Sequence, residues 1–194
     1  MVIVLVFLAI IAIYIWSVYN KLATMKVRIV ASIQEIGNQL KRQAQLIPEL
    51  AAIFKGAARQ EKAVYKMLTE ARKTILEAIK TGNEKAIESS QEFLQEAMKQ
   101  VKLIVESNPQ MQAIGTLSSL TENVRDTVDK VMYARRTLID LSADYNIMLV
   151  TFPSSLVAKL FGFKEAEGLK TPLSGEFLEV SEEETKTPKL ELEE

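Results

Sequence analysis

Two hydrophobic patterns divide the chain. From Val2 to Tyr19 the sequence has no charged side chain and no polar face, and Asn20-Lys21 closes the run. From Leu22 onward apolar residues recur in steps of three and four: Leu22, Met25, Ile29, Ile33, Ile36, Leu40, Ala44, Ile47, Leu50 and Phe54. That spacing predicts one long amphipathic helix with a single apolar stripe. Pro48 falls inside it and should kink it, and Gly56 is a second weak point. A second helix, with Val64, Leu68, Ala71, Ile75 and Ile79, should stop at Thr81-Gly82-Asn83. A third, from Glu84, carries Ile87, Leu94, Ala97, Val101 and Ile104 to the break at Asn108-Pro109.

After a loosely structured stretch around Gly115, the last long helix should begin near Leu117, with Ser119 and Glu122 spaced as a capping box. Its stripe runs through Leu120, Val124, Val128, Val131, Ala134, Leu138, Leu141, Tyr145 and Leu149 to Phe152, and Pro153 ends it. Ser154 or Ser155 can cap a short amphipathic helix bearing Leu156, Leu160 and Phe161, closed at Gly162. No single stripe is stable alone in water, and packing the helices together buries them all. The predicted fold is therefore all-α: an N-terminal transmembrane helix (residues 1–20), then an antiparallel long-helix bundle (21–163). Three to four main helices and the short C-terminal one make up the bundle, with Ile29, Ile33, Ile36 and Leu40 facing Val131, Leu138 and Leu141.

The opening run suits a bilayer. Its 18 residues include twelve Val, Ile, Leu or Phe. As a helix it would span about 27 Å, close to a hydrocarbon core of roughly 30 Å. Tyr14, Trp16 and Tyr19 cluster at the end beside Lys21, as an interfacial aromatic belt does. A cleaved signal peptide is the rival, but a basic n-region and a small-residue cleavage site are both missing. Lys21, Lys26 and Arg28 follow the run, which by the positive-inside bias puts the N-terminus outside and the bundle in the cytoplasm.

Charge adds a boundary. Residues 164–194 hold ten acids and four lysines, against 15 acids and 20 bases before them. This acidic tail loses all periodicity and reads as disordered. The body's basic excess is too small and dispersed for nucleic acid. With no Cys and no His among 194 residues, thiol nucleophiles, thiolate metal sites and the usual neutral-pH general base are excluded. Glu61, Glu70 and Glu77 are oxygen ligands by type, but Lys66 and Lys73 lie in pairing reach. The reading is therefore no metal, no cofactor and no enzyme. Tyr145 and Asn146 are expected to hydrogen-bond across the core near Pro48, where a backbone carbonyl is freed.

Several phrases, taken in order, resemble the LemA family. Tyr19-Asn20, Leu40-Lys41-Arg42 running into Leu46-Ile47-Pro48-Glu49-Leu50, Lys55-Gly56 and Glu61-Lys62 come first. Thr69-Glu70-Ala71-Arg72, Ala134-Arg135-Arg136, Tyr145-Asn146 and Phe152-Pro153-Ser154 complete the set. The resemblance covers about residues 2–163 and leaves the acidic tail outside. This chain departs from the pattern at Gln60, at Val128-Asp129 and at Leu138-Ile139. The resemblance implies a bacterial single-pass membrane protein with a long-helix bundle and an exterior N-terminus, and it implies no catalytic residues.

Lys41, Arg42, Arg59, Arg72, Arg135 and Arg136 are the basic groups inside or beside these phrases, and they form the candidate interaction face. The expected function is a membrane-anchored interaction or scaffold protein. It would hold lipid through residues 2–19 and dock other membrane or cytoplasmic proteins, with self-association an open alternative. The second reading is a signal-relay or envelope-stress component, with Pro48 and Gly56 as the switching element.

Overall fold

The computed structural model describes residues 1–55 and 59–166, the side chains of residues 59–61 excepted. Gly56 and the acidic tail from residue 167 onward therefore lie outside the described residues. All regular structure among the described residues is helical: α1 Val2–Ile53, α2 Arg59–Thr81, α3 Glu84–Ser107, α4 Pro109–Gln112, α5 Gly115–Val150 and α6 Ser154–Leu160.

The apolar run and the first amphipathic stripe form one unbroken helix of 52 residues, about 78 Å long. Its N-terminal section stands alone, with every residue through Tyr14 exposed. Burial begins at Ile15 and Val18 and then follows the stripe through Leu22, Met25, Ile29, Ile36 and Leu40 to Leu50. The helix runs through Pro48 and on to Ile53.

Side-chain pairings fix where the other helices lie. Arg72 of α2 meets Ala44, and Gln91 of α3 meets Gln43. Counting back along α1, the α2–α3 turn falls about nine or ten residues below that level, near Glu35. Above it, α1, α2, α3 and α5 form a four-helix head. Below it, α1 packs on α5 alone, as a two-helix stalk closed at its foot by α6. The turn itself is made by Gly82 at φ +59° and by Asn83, whose side chain caps α3 by accepting from the Lys85 amide at 2.9 Å.

This division accounts for one departure from the sequence reading. Ile33 lies on the apolar stripe yet is 50 % exposed, as are its neighbours Val27 and Val30 in large part. In the stalk one partner helix covers only one side of α1, and the stripe is wider than that side. Other departures are local. The last long helix starts at Gly115, two residues earlier than Leu117, after the short α4 that Asn108 caps and Pro109 opens. Ser119 is thus inside α5, where its hydroxyl donates to the Thr116 carbonyl, and no capping box forms. The helix ends at Val150, before Phe152, because the residue preceding Pro153 is driven out of the helical region. The Phe152–Pro153 peptide is cis. α6 has Pro153 as its N-cap, and the Ser154 hydroxyl donates back to Met148 and Thr151 carbonyls.

Candidate functional site

The six basic residues proposed as one face have different fates. Lys41, Arg42 and Arg136 are exposed on α1 and α5. The Arg59 side chain lies outside the described residues. Arg72 is exposed too but hydrogen-bonds to α1, and Arg135 is largely buried inside the head.

Arg72 serves the proline. Pro48 has no N–H, so the Ala44 carbonyl one turn earlier loses its helical donor. The Arg72 Nε donates to that oxygen at 3.2 Å from across the α1–α2 interface. Tyr145 and Asn146, expected to fill this role, sit in the stalk instead. Arg135 lies between helices as well: one guanidinium nitrogen is 3.6 Å from both Glu84 and Glu88 at the start of α3. Arg135 and Glu84 are only 17 % and 16 % exposed, and each keeps a buried polar atom without a partner. This is an internal, loosely closed ion pair at the base of the head, so Arg135 is no docking group.

Two glutamines complete the head's interior. Gln43 is 0 % exposed and exchanges hydrogen bonds of 2.9 and 3.0 Å with Gln91, amide to carbonyl in each direction. A buried amide left unpaired is costly, so each glutamine holds the other's position and sets the α1–α3 register. The sequence carries the signal for both. Gln43 lies three after Leu40 and four before Ile47, and Gln91 lies four after Ile87 and three before Leu94, so both fall on apolar stripes.

The foot of the stalk is a different kind of surface. Gly162, at φ +67°, reverses the chain after α6, and the Phe163 amide donates to the Ala158 carbonyl at 2.9 Å. That reversal lays Phe161 and Phe163 against Tyr19, with ring centres 4.9 and 5.5 Å away. Phe161 also closes an apolar groove with Ala12, Ile15, Trp16 and Tyr19. The Tyr145 hydroxyl donates to the Lys164 carbonyl at 2.9 Å, and burial pushes its phenol above the ordinary value. Asn146 pairs twice with the Ala166 backbone, at 3.0 and 3.1 Å. The ordered chain therefore passes residue 163, and Lys164 to Ala166 belong with the bundle rather than the tail.

One turn up, Asn20, Lys21, Thr24, Met25 and Arg28 of α1 face Leu141 and Asp144 of α5 across an open polar groove. Lys21, Thr24 and Arg28 recur at helical spacing, so their shared face was readable in the sequence. Asp144 offsets part of the groove's positive charge. Of the carboxylates weighed as metal ligands, Glu70 faces Lys73 at 3.5 Å on the surface of α2.

The LemA family model matches residues 32–190, most of the chain. The match begins inside α1, beyond the apolar section, and runs into the acidic segment, which the sequence reading had left outside the resemblance. No curated protein matches the sequence.

Proposed function

The chain belongs to the LemA family, and on that premise we propose that it is a single-pass membrane-anchored scaffold, binding other membrane or cytoplasmic proteins without chemistry of its own. The continuity of α1 carries this reading. Its apolar window has a mean hydropathy of 2.7 and is 6 % buried, whereas a core helix of like composition would be covered by its own protein. A cleaved leader is disfavoured because the same helix continues without a break into Val18, Leu22 and Met25 of the packed bundle. The head is then held at a fixed distance from the bilayer, with Lys41, Arg42 and Arg136 as exposed contact groups. The positive flank of Lys21, Lys26 and Arg28 supports a cytoplasmic head through the positive-inside bias.

Anchoring is tested by carbonate extraction of membranes. The full chain should stay in the pellet, and a form lacking residues 1–19 should be released. Retention of the shortened form would refute the anchor. Ile10→Lys should cost about 2.5–3.5 kcal/mol of insertion free energy. For orientation, Glu92→Cys gives the Cys-free chain one thiol at an exposed position, unlike the neighbouring buried Ser90. An impermeant maleimide should leave it unlabelled in intact cells, and prompt labelling would place the head outside. For docking, Lys41, Arg42 and Arg136 are changed together to Glu, with Arg135 spared because it holds the fold. Partners that co-purify with the detergent-solubilised chain should be lost, and full retention would remove these groups from the interface.

A further inference from the structure

Five large apolar side chains stand exposed around the foot of the stalk: Val150 at 80 %, Phe152 at 76 %, Leu160 at 71 %, Leu156 at 61 % and Phe161 at 49 %. They come from the end of α5, the following turn and α6. On the opposite face of α6, Val157 and Ala158 are buried against the bundle. The short helix is therefore clamped on one side and apolar on the other. Its place beside α1 identifies what covers the outer side. Phe161 packs on Tyr19 and lines the groove with Ala12, Ile15 and Trp16, all within the uncharged run.

Length decides the depth. Every residue of α1 through Tyr14 is exposed. Those thirteen residues, Val2 to Tyr14, make about 20 Å of helix, some 10 Å short of a hydrocarbon core of roughly 30 Å. The next residues, Ile15 to Tyr19, continue the same uncharged run and add about 7.5 Å of helix, and those are the residues α6 lies against. A span that fills the core draws α6 into the boundary between headgroups and acyl chains, where apolar faces of interfacial helices settle at about 5–10 Å depth. Lys159, exposed in the last turn of α6, can extend its ammonium outward from that level.

We propose that α6 and its flanking Phe152 and Phe161 are a second membrane-contacting element, a monotopic collar whose apolar face is buried in the lipid boundary beside the transmembrane helix. This rests on the anchor reading, since the span sets the collar's depth. The collar fixes α1 and α5 to the bilayer together, so the stalk meets the membrane with both helices rather than pivoting on one.

The chain's single tryptophan, Trp16, and its lack of cysteine make a direct test available. Leu160→Cys in the full chain is labelled with an environment-sensitive fluorophore. The protein is reconstituted into vesicles of phosphatidylcholine with a minority of phosphatidylglycerol. These carry nitroxide lipids labelled either near the headgroup or at the acyl-chain end. Tyr133→Cys, on an exposed position of the head, is the reference. The Leu160 probe should emit at shorter wavelength than the Tyr133 probe and be quenched severalfold more strongly by the shallow nitroxide. Trp16 emission should be quenched in the same vesicles. An unquenched Leu160 probe with quenched Trp16 overturns the collar and spares the anchor. A Leu160 probe that is blue-shifted yet unquenched also overturns it, since protein then covers the face. If neither Trp16 nor the probe is quenched, the anchor reading fails and the collar with it.

Discussion

The head and the stalk share α1 and α5, yet they solve the problem of covering an apolar stripe differently. In the head, α2 is buried to 2 % exposure or less at Val64, Leu68, Ala71 and Ile75, and the buried Gln43 and Gln91 are matched to one another. In the stalk, the same period leaves Val27, Val30 and Ile33 of α1, and Ile147 of α5, largely exposed. A heptad-like pattern states how wide an apolar face is, but the number of neighbouring helices decides how much of that width is buried. The difference also separates roles: the head specifies itself through internal pairings, and the stalk offers its uncovered sides outward.

The sharpest way to break this contrast is to delete the same bulk from each region. Leu40→Ala in the head, 2 % exposed, should destabilise the full chain in detergent by about 2–5 kcal/mol. Ile33→Ala in the stalk should cost well under half of that, read from denaturant unfolding. Equal losses would mean that Ile33 is covered in the folded protein, and the division into two regions would fail.

The glutamine pair gives the next largest effect. Gln43→Leu alone strands the Gln91 amide in the core, and should cost about 1–3 kcal/mol. Changing both glutamines to leucine should recover most of that loss. A double variant as unstable as the sum of the singles would show that the pair's mutual hydrogen bonds are not what holds the site.

Smaller again is the arginine that serves the proline. Arg72→Ala should cost on the order of 1 kcal/mol in the parent. It should cost less in a Pro48→Ala background, where residue 48 regains an N–H for the Ala44 carbonyl. The coupling between the two, measured as a double-mutant cycle, is the quantity of interest. An additive result would separate Arg72 from the proline.

The smallest effect belongs to the stalk. Burial raises the Tyr145 phenol above its ordinary value of 10.0. The protonated hydroxyl is thus favoured by folding, and its contribution is complete below that ordinary value and lost as pH climbs through the raised one. Tyr145→Phe should lower stability by up to about 1 kcal/mol near neutrality. The gap to the parent should narrow in strong alkali. A gap that widens there would reverse the sign of the argument.

Much of this architecture was legible in the sequence because local chemistry wrote it. Gly82, Asn83 and Asn108-Pro109 mark helix ends in any context, and the three-and-four spacing needs no tertiary partner to be recognised. What escaped reading depends on distant residues. Nothing near Arg135 announces Glu84 and Glu88, and nothing near Arg72 points to Ala44, 28 residues earlier. Both arginines therefore read as free surface charge, whereas each has a partner on another helix of the head. The exposure of Ile33 depends on where the α2–α3 turn falls along α1, a matter of helix length in another part of the chain. Ser119 shows the converse failure: a motif with correct spacing was overridden because the helix had already begun at Gly115.

The unbroken course of α1 sets an angular relation as well as a connection. Each residue of an α-helix advances the chain by about 100° and 1.5 Å. The azimuth of every side chain between Val2 and Tyr14 is thereby locked to that of Leu22, Met25 and Ile29 in the stalk. One residue inserted near Ala12 would turn the outer section by about 100° relative to the head, while seven would bring it back to within about 20° of its starting phase. The compass bearing of the N-terminal section, and not only its hydrophobicity, is thus encoded in the residue count of a single helix.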